Sequence, residues 1–200
     1  QMACAEEGIA LSETHGFPLW LGVAKMLRGW ALAMTGDAAA GLEEVSHGMA
    51  LFGDGTQIGL PLVLATQAEV YFAAARYADA IACVERALAA SVACGEAGND
   101  ADLHRLRGEC LLAESRAGQT RAERALSAAE ECFRHAVEVA RSQEARSLEL
   151  RAATSLARLW RDQGKRAEAR DLLAPLYAWF TEGFDTRDLI DAKALLEELT

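Results

Sequence analysis

The side chains that could carry chemistry in this 200-residue chain are few and scattered. Its histidines are His15, His47, His104 and His135. Metal-assisted hydrolysis needs imidazoles one helical turn apart with a carboxylate beside them, and no HExxH or HxH spacing occurs. Helix packing can bring His104 and His135 near each other, yet no carboxylate is spaced to complete a metal site. The adjacent acids Glu43-Glu44 and Glu130-Glu131 point in different directions on a helix. They read as solvated charge, not as an acid–base pair. Ser127 and Ser155 have no base within reach by spacing. No GxxxxGK[ST] loop is present to cradle phosphates. Cys4, Cys83, Cys94, Cys110 and Cys132 make an odd count without CxxC spacing, which fits reduced thiols acting as small hydrophobes. The expectation is a chain that is not an enzyme, with no catalytic, cofactor-binding or metal residues.

Composition agrees with a scaffold. Apolar residues reach 52% with Ala dominant and only three prolines, which is the composition of an all-helical chain. No run approaches the roughly 18 apolar residues of a membrane span, and no secretory leader is visible. Net charge is −10, which argues against nucleic acid, because phosphate binding needs a basic face. The acidity is uneven: residues 1–100 hold 4 basic and 12 acidic side chains, residues 101–200 hold 16 and 18. Reduced thiols and the missing leader point to the cytoplasm. Gln1 falls inside an expected helix, so the sequence reads as part of a longer protein.

Local patterns set the elements. Leu148, Ala152, Ser155, Leu156, Leu159 and Trp160 recur three or four apart, as do Ala169, Leu172, Leu173, Leu176 and Phe180. Each set forms one stripe of a helix. Gln163-Gly164-Lys165 joins the two, with Gly164 free to take the left-handed conformation that stops a helix. This is an antiparallel hairpin. Upstream, helices are expected over 1–15, 19–35, 38–52, 57–75, 77–94, 101–116 and 121–142. Pro18 suits a first turn and Asp37 an N-cap. Loops are expected at Gly53-Asp54-Gly55 and Gly118-Gln119-Thr120. Asp185 or Thr186 caps a last helix ending at Leu199, and Asp188 adds favourable charge to its first turn.

The hairpin recurs. Aligned on Gly29, Ala68, Gly108 and Ala157, the units are separated by 39, 40 and 49 residues. The last separation contains a nine-residue insertion around Gly118 to Leu126. Ala68, Tyr71, Tyr77, Ala80 and Ala87 line up with Ala157, Trp160, Arg166, Ala169 and Leu176. Gly29, Leu32, Gly41 and Gly48 fill the same slots, and Gly108, Ala129, Phe133 and Ala136 do so once the insertion is allowed. One hairpin cannot bury its stripe alone, so hairpins stack.

This pattern resembles the tetratricopeptide repeat (TPR), with small residues at motif positions 8, 20 and 27 and large ones at 11 and 24. The motif's aromatic at position 4 is replaced by Lys25, Leu64, His104 and Ala153, and the period exceeds the standard 34. HEAT-like packing is the alternative. The resemblance implies an all-α, TPR-like right-handed superhelix, an α-solenoid, as a single domain over residues 1–200. Its parts are a partial repeat 1–16, repeats 17–55, 56–98, 99–144 and 145–183, and a capping helix 184–200. Residues 103–185 and the stretch GFPLWLGVAKMLRGWALAMTGD further resemble the C-terminal repeats of bacterial signalling ATPases and adenylate or guanylate cyclase regulators.

The family's concave groove is lined from positions 2, 5, 9, 12 and 13 of each first helix. Carried onto this chain, those positions include Met26, Trp30 and Met34, then Glu69 and Phe72, then Arg105 and Glu109, and finally Arg151, Arg158 and Arg161. One end of the groove is apolar and the other basic, with Asp162 and Glu149 near enough to pair with the arginines. The family's Lys and Asn clamp for acidic C-termini is absent, since Met26 and Trp30 stand there. The expected partners are a protein or peptide, or other domains of the parent chain, with no nucleic acid and no membrane. The function this implies is a non-catalytic interaction or scaffold module. A small-ligand sensor with a groove pocket, or a self-association module forming a homodimer, is the alternative. In the last helix Leu189, Ile190, Ala192, Leu195, Leu196 and Leu199 are expected to pack on Leu173, Leu176 and Phe180.

Overall fold

A computed structural model describes residues 2–53, 58–118 and 122–200. Among the described residues the regular elements are all helical, and no helix is long and apolar enough to cross a membrane. Contacts gather into two compact units, residues 1–99 and 100–200. The first holds α1 (Met2–His15), α2 (Pro18–Met34), α3 (Ala38–Phe52), α4 (Leu60–Ala73), α5 (Tyr77–Cys94) and a 3-10 turn at Ala97–Asn99. The second holds α6 (Asp100–Arg116), α7 (Ala122–Ser142), α8 (Arg146–Asp162), α9 (Arg166–Ala178) and α10 (Arg187–Glu198).

The hairpin turns share one hydrogen-bond pattern. Asp37, Arg76 and Lys165 donate their N–H groups back to the carbonyls of Leu32, Tyr71 and Trp160, at 3.0, 2.9 and 2.8 Å. Such a six-to-one bond closes a helix end and requires a left-handed residue just before the donor. Gly36 and Gly164 supply it at φ +105° and +82°, whereas Ala75 is held there at φ +56°. Asp37 caps α3 by accepting from the Ala40 N–H at 3.1 Å. Thr186 is the N-cap of α10 but makes no side-chain cap. Its hydroxyl donates instead to the Gly183 carbonyl, 2.7 Å away.

Two boundaries differ from expectation. The α4 helix begins at Leu60, behind a left-handed Gly59, with Pro61 in its first turn. A helix running back to Gln57 is incompatible with that kink, and residues 54–57 themselves lie outside the described residues. The α9 helix ends at Ala178, before Phe180. Pro175 removes one helical donor, and the chain tightens into three-residue bonds, Trp179 to Leu176 and Phe180 to Tyr177, at 3.3 and 3.2 Å. The expected break at 119–120 and the helix start at Arg121 also lie outside the described residues.

Helix approach is set by residue size. Where α2 crosses α3, a Cβ on Gly29 would stand 2.7 Å from the Gly41 carbonyl oxygen, and one on Gly41 would stand 2.6 Å from that of Gly29. Gly22 and Gly48 repeat the arrangement one heptad away, with a Cβ on Gly22 2.8 Å from the Gly48 oxygen. Where α6 crosses α7, the Phe133 ring occupies the space a Cβ on Gly108 would need, 2.5 Å away. The large residue filling this gap is Val45, Val84 and Leu173 elsewhere, none more than 1% exposed. The fill is therefore aliphatic in three hairpins and aromatic in one.

The insertion is absorbed by lengthening the α6–α7 hairpin. The α6 helix runs eight residues past Gly108, whereas α2, α4 and α8 run five past Gly29, Ala68 and Ala157. The α7 helix starts seven residues before Ala129, whereas α3, α5 and α9 start three before Gly41, Ala80 and Ala169. Both helices grow before the crossing is disturbed, so the close contacts keep their register. At the chain's end Leu189, Ala192, Leu195 and Leu199 enter one core with Leu156, Leu159, Leu173 and, at its edge, Leu176 and Phe180. Ile190 stays outside, 49% exposed.

Candidate interaction surface

In the first unit the apolar candidates divide by depth. Met26 is only 2% exposed and packs with Phe52 and Val63, so it does not line a groove. The reason is local: Gly48 has no side chain, and Met26 fills the space beside it. Trp30 is half-buried and donates its indole N–H to the Glu69 carboxylate, joining α2 to α4. Phe72 is half-buried against Tyr77, with ring centroids 5.7 Å apart. Met34 is 46% exposed. Beside these lie apolar side chains absent from the sequence-derived set: Trp20, Leu27 and Leu62, exposed by 63%, 50% and 56%. The seven-residue spacing of Trp20, Leu27 and Met34 was the available signal.

In the second unit the polar candidates are engaged with each other and with α10. Arg105 donates to Asp102 at 2.7 Å. Glu109 accepts from the Ser155 hydroxyl at 2.7 Å, bridging α6 and α8. Arg151 grips Asp188 through both Nε and Nη2, the closer contact being 2.8 Å, and reaches Asp102 at 3.5 Å. Arg158 meets Asp191 at 3.2 Å. Arg161 pairs with Glu198 and with Asp162 at 2.9 Å. Glu149 does not serve the groove arginines. It is 1% exposed and is held by Arg141 at 2.9 Å and Arg146 at 2.7 Å.

These pairings set the charges. Burial alone would raise the Asp102 carboxyl, but Arg105 and Arg151 outweigh it and hold it below the ordinary carboxylate range. The rings of His104 and His135 meet edge to face at 4.3 Å. Burial, then the neighbouring imidazole, pushes His104 down. Among the described residues no group of three or more His, Cys, Asp or Glu is placed to hold a metal ion. Burial raises the Cys110 thiol to about 12, which leaves it protonated and inert near neutrality.

No protein-family model matches the chain, and no curated protein matches it. Solved structures do. Two crystal structures from Podosopora anserina, described as nearly identical TPR-like repeats of a kinesin light chain, share the fold. One gives 17% identity and a TM-score of 0.63, covering 91% of this chain and 86% of that one. The other, a variant, gives 16% and 0.61, covering 88% and 84%.

Proposed function

We propose that this chain, an all-α array of TPR-like helical hairpins, is a non-catalytic protein-interaction module. In this reading its hairpins follow the repeat divisions 17–55, 56–98, 99–144 and 145–183, with 184–200 as the capping helix. The observation that carries it is the difference between the two units. In the second, the arginines on the first-helix face are spent on Asp188, Asp191 and Glu198 of α10. In the first, Met34 and Leu62 remain about half exposed, beside half-buried Trp30 and Phe72. Adaptable Met and aromatic side chains suit a helical or peptide partner. The resemblance of residues 103–185 to the C-terminal repeats of bacterial signalling ATPase and cyclase regulators supports a cytoplasmic regulatory setting. There the partner would be another protein or another domain of the parent.

A photo-crosslinking side chain placed at Leu62 tests this in cells. The expected result is a discrete adduct that is absent when the crosslinker sits at exposed Glu123, and that disappears when Met34 is changed to Glu. Equal, diffuse labelling from both positions overturns the reading.

A further inference from the structure

The register of α10 is that of a first helix. Arg151 to Asp188 and Arg161 to Glu198 both span 37 residues, and the same shift carries Ser155 onto Ala192 and Ala157 onto Ala194. In the first unit the residues equivalent to Ser155 and Ala157 are Leu27 and Gly29. Ser155 and Ala192 are 5% and 0% exposed. Ser155 is bonded to Glu109 on the preceding first helix, α6, and Ala192 shares a core with α8. Leu27, at the same place on α2, is 50% exposed, with Trp20 and Met34 one heptad to either side at 63% and 46%. The face that a preceding first helix covers on α8 and α10 is bare on α2.

The opposite face is bare on α10. Gly29 is covered by Gly41 of its second helix, and Ala157 is 0% exposed. Ala194, their equivalent, is exposed and lies with Ile190, Tyr177 and Phe184 along a groove of about 400 Å³. The α1 helix packs on α2 as a second helix does, and its outer side exposes Cys4, Ala10 and Leu11. Thus α10 lacks a second helix, and α1 lacks a first. Their charges are opposed as well. The α1 helix exposes Glu6, Glu7 and Glu13, while the side chains of Arg187 and Lys193 on α10 are 86% and 62% exposed.

We propose that copies of this chain associate head to tail, α10 of one copy docking on α1 and α2 of the next and completing one hairpin unit across the interface. The two surfaces differ, so the contact is heterologous and each copy can accept one neighbour at each end. This goes beyond the partner-binding reading and does not depend on it, because Leu62 and Phe72 lie outside the contact.

Leu27→Glu and Ile190→Glu test it, each altering one exposed surface. Sedimentation velocity across a concentration series, with helicity checked by circular dichroism, is the measurement. The unaltered chain is expected to gain mass with concentration. Each variant alone should associate at least about tenfold more weakly, since the new carboxylate would be buried in an apolar contact. An equimolar mixture should restore a one-to-one dimer and nothing larger, because one variant keeps α10 intact and the other keeps α2. A chain that stays monomeric throughout overturns the proposal and leaves the stripe to a helix of another source. A mixture that fails to pair, or that pairs no better than the single variants, overturns it too.

Discussion

Ala75 does the work of a glycine without its freedom. Its φ of +56° matches the left-handed residues Gly36 and Gly164 in the equivalent turns, where a Cβ costs roughly 1 kcal/mol or more. Ala75→Gly removes that cost but loosens the unfolded chain, which returns about 0.4–1 kcal/mol. The expected net is a small gain, up to about 1 kcal/mol, readable as a higher denaturant midpoint; a clear loss would mean the turn relaxes differently. At Asp102 the sign of the pH effect is fixed by its arginines. Its folded pKa is depressed, so its contribution is present above the unfolded value of about 3.9 and fades as pH falls toward the folded value. Asp102→Asn should lower stability at neutral pH and flatten the acid limb of a stability–pH curve. An unchanged acid limb would show that Asp102 is not titrating in the transition. The first-helix placement of Arg151 was legible in the sequence, but its partner was not. Asp188 lies 37 residues away, beyond any helical periodicity, and near its own helix start it read as a dipole charge.

The hairpin is the scale at which the sequence spoke most clearly. Period-3.6 stripes, three-residue turns and small residues at matched offsets all reappear as helices, left-handed turns and close crossings. The misses have local physical causes. Pro175 shortened α9, a left-handed Gly59 delayed α4, and Gly48 let Met26 sink into the core rather than face a groove. The gap-filling residues were expected to be aromatic, yet Val45, Val84 and Leu173 do the same job, because the space depends on volume and not on a ring. The glycine crossing gives the sharpest test. Gly41→Ala would normally strengthen a helix by about 0.5–1 kcal/mol. Here the new Cβ meets backbone oxygen at 2.6 Å, and backbone cannot swing aside. Overpacking should prevail, with a net loss of about 1–3 kcal/mol by thermal or chemical melting. A melting point equal to or above that of the unaltered chain would mean that α2 and α3 part more easily than their contacts imply.

At the scale of the molecule, the question is whether α10 is an ornament or part of the fold. Its three cross-helix ion pairs involve side chains that are 29–56% exposed. Pairs of that kind each contribute about 1 kcal/mol at most. Leu189, Leu195 and Leu199, by contrast, are 4%, 2% and 5% exposed. Burying a leucine contributes about 1.5–3 kcal/mol, so the apolar seam outweighs the charges. The ion pairs then act as a register device: Arg151 and Arg161 fix α10 at one axial position, and the leucines hold it there. Deleting residues 185–200 would uncover Leu156, Leu159 and Leu173 and leave three arginines unpaired on an apolar face. Since a whole domain is stable by only about 5–15 kcal/mol, the expected result is a melting temperature lowered by many degrees, with light scattering that grows with concentration. Neutralising the pairs alone, through Asp188→Asn with Asp191→Asn, should cost far less and leave the scattering unchanged. If the truncated chain melts like the intact one, α10 does not hold the fold. If the two substitutions prove as damaging as the deletion, electrostatics rather than leucine burial keeps it in place.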